Sequence, residues 1–64
     1  MKTENLTKAL QTFAMFYSEL RESHTDAVTS ENQFAEIAIF DLIEKAAELR
    51  TKLNMVKTAA EIYD

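Results

Sequence analysis

The sequence predicts an all-α protein: an antiparallel helical hairpin with a short first helix and a long second one, dimerising into a four-helix-bundle-like assembly. Three observations lead there. The 64 residues contain neither glycine nor proline, where average usage of about 7% and about 5% would supply several of each. Tight β-turns and phosphate-cradling loops draw on glycine's access to positive φ, so both are disfavoured. Apolar residues recur in steps of four and three along two stretches, the period of a helix with one face against a partner. The third observation is the stretch FAEIAIFDLI, residues 34–43, which is apolar on more than one side of any helix drawn through it.

The first helix is expected over about residues 4–22. Leu6, Leu10, Phe13, Tyr17 and Leu20 form its stripe, widened on one flank by Ala9 and Phe16. Thr3 is placed to cap it, with Glu4 in the first turn where the helix dipole favours an anion. Residues 23–30, SHTDAVTS, are expected to connect the helices. Their short polar side chains bond to their own backbone and so compete with helix. Ser30, three residues before Gln33, fits a capping box for the second helix, expected over about residues 31–62.

In that helix the repeat runs through Ala35, Ile39, Leu42, Ala46, Leu49, Leu53, Val56, Ala60 and Tyr63. At about 1.5 Å per residue it would be ~50 Å long against ~28 Å for the first helix, so its C-terminal half is expected to overhang. Either it continues straight or it bends near residues 50–54. Ile37, Phe40, Ile43 and Ala47 fall on its far side, and a helix apolar on two faces is usually buried on both. These four are the expected self-association residues.

Size and composition point the same way. A chain of 64 residues is one domain, and at this size it buries only ~60% of its unfolded surface. Cysteine is absent and histidine occurs once, which leaves no disulfide, no thiolate metal site and no multi-histidine cluster. No cofactor is expected, and association is the remaining route to stability. The net charge of −4 argues against general binding to nucleic acid or anionic membranes. No apolar run approaches the ~20 residues of a membrane span. The opening MKTENLTKAL lacks the apolar core of a signal peptide, so a cytoplasmic location is expected.

Residues 45–58 are locally basic, with Lys45, Arg50, Lys52 and Lys57 against Glu48 alone. Those cations fall at both edges of the seam, where coiled coils place their pair-selecting charges. Leu49, Arg50, Lys52, Leu53, Val56 and Lys57 are therefore the expected binding site for a protein partner with acidic edges. The expected function is that of a small non-enzymatic helical interaction protein: an inhibitor, adaptor or chaperone-like factor.

Other chemistry weighs less. The basic flank could instead bind structured RNA on a dimeric four-helix bundle, and this is the alternative. Asp41, Glu44 and Glu48 stand three and four apart, a spacing that could hold a divalent ion or an acid/base pair. An ordinary solvated helix face explains them more simply. His24 could act as a base, but it is expected to end the first helix, where a cation favours the carbonyl end of the dipole. Phe13, Phe16, Tyr17 and Phe40 lack interleaved basic residues and read as core rather than as a stacking platform. No catalytic or metal-binding residue is expected.

Overall fold

The computed structural model describes residues 1–63 as two helices, α1 (Glu4–Thr29) and α2 (Gln33–Ile62). They pack side by side, and the chain reverses over residues 30–32. A connection this short leaves the helices antiparallel. The pair measures 49 × 15 × 9 Å, with a radius of gyration of 14.9 Å, against about 11 Å for a globular chain of this length.

The expected connection over residues 23–30 is helix for nearly all its length. Two effects override the local preference. His24 and Ala27 continue the α1 stripe beyond Tyr17 and Leu20, and Ala27 is buried. The hydroxyl of Thr25 donates back to the Arg21 carbonyl at 3.3 Å, so the competing group is absorbed within the helix. α1 is therefore nearly as long as α2. The expected overhang of α2 disappears, and the helix runs unbroken through residues 50–54.

The turn that replaces the long connection has a defined geometry. Asn32 N–H donates to the Ala27 carbonyl at 3.0 Å and Glu31 N–H to the Val28 carbonyl at 3.1 Å. This is the Schellman pattern of helix ends, which needs a left-handed residue just past the cap. Glu31 fills that place with φ of 56°. Its Cβ costs about 1–2 kcal/mol there relative to glycine. Asn32, rather than Ser30 with Gln33, then caps α2: its side-chain oxygen accepts from Ala35 N–H at 3.1 Å. Thr3 stands at the cap position of α1, but its side chain makes no capping bond. Its carbonyl accepts from both the N–H and the hydroxyl of Thr7, at 2.9 and 3.0 Å.

A first expected result follows. Glu31→Gly should raise stability by about 0.5–1 kcal/mol, the relief of the left-handed strain less the added freedom of the unfolded chain. Thermal denaturation followed by circular dichroism should show Tm rising by a few degrees. A lower Tm would place Glu31 outside the left-handed region.

Between the helices, α1 presents Leu6, Leu10, Phe13, Tyr17, Leu20, His24 and Ala27, each half-buried or buried. α2 answers with Ala35, Ile39, Ile43, Ala46, Leu53, Lys57 and Ala60. Among the described residues only Ala27 and Ala46 are buried, at 6% and 4% exposure. Small residues at the contact let the backbones approach closely. The α2 seam is turned from the expected one: Ile43 and Lys57 flank it, while Leu42, Leu49 and Val56 are half-exposed. The step from Ile39 to Ile43 takes four residues where a strict repeat takes three, and this rotates the contact around the helix. Lys57 fits a seam position because its apolar stem lies along the contact while its ammonium reaches Glu61 at 3.8 Å.

Two helices enclose little. The accessible surface is 5192 Å², against about 4,200 Å² for a globular protein of this mass. Roughly half of the unfolded surface is buried, less than the ~60% usual at this size.

Candidate functional site

The surface left open by this packing divides into two flanks. On one, the His24 and Phe40 rings lie with centroids 5.9 Å apart. They line a groove with Tyr17, Arg21, Thr25 and Ile43. A neighbouring groove joins Tyr17, Ser18, Arg21, Glu22 and Thr25 to Arg50 across the seam. This flank mixes apolar with charged groups. His24 is thus a mid-helix seam residue packed against an aromatic ring, not the end of α1.

Helical spacing sets the opposite flank. If Phe40 and Ile43 lie on one side of the α2 seam, Leu42, Leu49 and Val56 lie on the other, a full heptad apart from one another. On α1 the residues across the seam from Arg21 and Thr25 are Phe16, with Ala9 and Ser23 a heptad to either side. Phe16 packs its ring 6.0 Å from that of Phe13. The large residues of this flank, Phe16, Leu42, Leu49 and Val56, are all between 49% and 54% exposed. Asn5, Thr12, Ser23, Lys45 and Lys52 are among its polar members, and Asp41 stands beside Lys45 at its edge.

The expected self-association set is divided by this geometry. Ile37 and Phe40 are exposed, Ala47 is exposed beside them, and Ile43 turns into the helix contact. The expected partner-binding set is divided too. Leu49 and Val56 lie on the apolar flank with Lys52 at its edge, and Arg50 borders the polar groove. Leu53 and Lys57 belong to the seam with α1. A further open apolar patch sits near the C-terminal end, where Thr51, Met55, Thr58, Ile62 and Tyr63 line a shallow groove. Phe16 and Leu42, read from sequence as core, are half-exposed. The recurrence of Leu42, Leu49 and Val56 at intervals of seven was the available signal for this stripe.

The charged groups make local pairs. Lys45 donates to the Asp41 carboxylate at 2.8 Å, and that bond, with the charge behind it, raises the proton affinity of the ammonium above that of an ordinary lysine. Both partners are exposed, so the pair adds little to stability. Lys45 and Lys57 are thus engaged by carboxylates, and Arg50 and Lys52 project on different sides of α2. Together the four make no continuous phosphate-binding stripe. Among the described residues, no three histidine, aspartate or glutamate side chains converge as a metal site. Nor, among them, is any helix long and apolar enough to cross a membrane.

No known protein family, curated protein or solved structure matches this chain.

Proposed function

We propose that this protein is a non-enzymatic, cytoplasmic interaction module, one that self-associates into a four-helix assembly and binds a second protein by helix packing. The observation that supports it most is the surplus of surface: about 1,000 Å² beyond that of a globular chain of equal mass. Large apolar side chains stand half-exposed or exposed on both flanks. Association covers such surface, whereas catalysis would call for converging polar groups. An inhibitor, an adaptor and a chaperone-like factor all use a helix face in this way.

For the second protein, the C-terminal half of α2 offers the better landing place. Met55, Ile62 and Tyr63 are exposed and apolar there, and the exposed Arg50 and Lys52 add positive charge at its edges. Such a field steers an acidic amphipathic helix and speeds encounter more than it tightens the complex. The test is affinity capture with quantitative mass spectrometry, comparing the natural chain with a Met55→Ser, Ile62→Ser variant. Both positions are exposed, so the variant should keep its helicity. A protein captured by the natural chain, lost with the variant and retained after nuclease treatment and in 0.5 M salt is the expected result, since apolar packing survives salt that disrupts phosphate contacts. Equal capture by both chains, or capture that vanishes with nuclease, would overturn the reading.

A further inference from the structure

We infer that the Phe16–Leu42–Leu49–Val56 flank is covered by a second copy of this chain, docked head to tail, with the turn end of each hairpin against the open end of the other. The inference rests on the reading of the hairpin as a self-associating module, and adds the face and the orientation. Three observations carry it.

The first is the pattern of the flank. Leu42, Leu49 and Val56 are centred on Leu49, which stands near the middle of the hairpin's length. A two-fold axis in the plane of the interface and across the helices sets α2 antiparallel to its own copy. Leu49 then meets Leu49 of the second copy, and Leu42 meets Val56. A two-fold interface requires such self-complementarity. On α1 the same axis brings Phe16 within about one turn of its counterpart, with the small residues Ala9 and Ser23 on either side to let the helices approach. The flank bearing Phe40 has no comparable stripe, because Arg21, Thr25, Glu36 and Arg50 interrupt it.

The second is charge. The turn-end half of the hairpin, residues 16–47, holds Arg21 and Lys45 against seven carboxylates, a net of −5. The rest of the sequence, residues 1–15 with 48–64, holds five cations against four carboxylates, a net of +1. An axis along the helices would bring two acidic ends together. The crosswise axis brings each acidic end to a basic one, so like-charge repulsion selects the head-to-tail orientation.

The third is area. The whole-chain excess of about 1,000 Å² sets an upper bound of about 2,000 Å² for two copies, within which an interface at the lower end of the ~1,200–2,000 Å² of stable specific complexes fits on this flank.

Because the chain lacks cysteine, single-cysteine variants report proximity without interference. Sedimentation of the natural chain should show a dimer. Under mild oxidation Leu49→Cys should cross-link to itself for most of the chains. An equal mixture of Leu42→Cys and Val56→Cys should yield the mixed dimer, while Leu42→Cys alone should not, since its two copies would stand about 21 Å apart along the axis. Ser30→Cys, at the turn, should stay uncross-linked. Efficient cross-linking through Ser30→Cys but not Leu49→Cys would overturn the orientation. A dimer that no cysteine on this flank cross-links would place the interface elsewhere, leaving the module reading intact. A monomer at high micromolar concentration would remove the second copy and, with it, the self-association part of that reading.

Discussion

Ala46→Asp should abolish the fold. Ala46 is the most enclosed of the described residues, at 4% exposure, and faces α1. A carboxylate there is held against α1, and Arg50, one turn further along and exposed, offsets its desolvation only in part. The effective penalty for burying an unpaired ion is several kcal/mol. A chain of this size has only about 3–10 kcal/mol of stability to lose. Circular dichroism should therefore show helicity collapsing at room temperature. The neighbouring substitution Ala47→Asp is the control, because Ala47 is exposed and surface changes usually stay within about 0.5 kcal/mol. If both variants remain equally helical, the helices do not meet at Ala46.

The second large effect separates the observed seam from the repeat expected of the sequence. Leu53 is half-buried against α1, two residues from Met55, which is open to solvent. Leu53→Ala should cost about 2–3 kcal/mol, the lower part of the range for leucine truncation because burial is incomplete. For a chain this short, the fall in Tm is about 10–20 °C. Met55→Ala should leave Tm nearly unchanged. Urea denaturation gives the same comparison at 25 °C through the midpoint. If Leu53→Ala instead left stability intact and weakened only binding to another protein, α1 would not reach that far along α2.

Both results depend on what the sequence does not display. The absence of glycine and proline and the recurring apolar steps are enough to indicate two helices. They do not show where α1 ends, since residues 23–30 are composed of side chains that usually break helices. The long-range contacts of His24 and Ala27, together with the Thr25 hydroxyl bonded back to Arg21, reverse that preference, and a local reading weighs neither contact. The strained left-handed residue is hidden for a related reason: glutamate carries no signal for positive φ, and glycine, which would, is absent. The flank residues show a third limit. A stripe wide enough to include Leu42, Ile43, Val56 and Lys57 admits two rotations of the helix, and the repeat favours the more apolar one. The packed pair takes the other, with Ala27 and Ala46 buried between the helices, and Leu42, Leu49 and Val56 are left half-exposed.

The three-residue reversal at residues 30–32 also governs how the hairpin is built in time. Contacts beside the turn join residues close in sequence, so they close with little loss of chain entropy. Those at the open end join the beginning of the chain to its last turn and come last. Formation therefore proceeds from the turn outward, as a zipper closes, and topologies dominated by such local steps fold quickly. Opening runs in reverse: the ends of α1 and α2 farthest from the turn part first, without unfolding the rest. The patch around Met55 and Ile62 thus lies on the half of the hairpin that opens most readily, where an incoming helix could take a place beside α2 that α1 has briefly left.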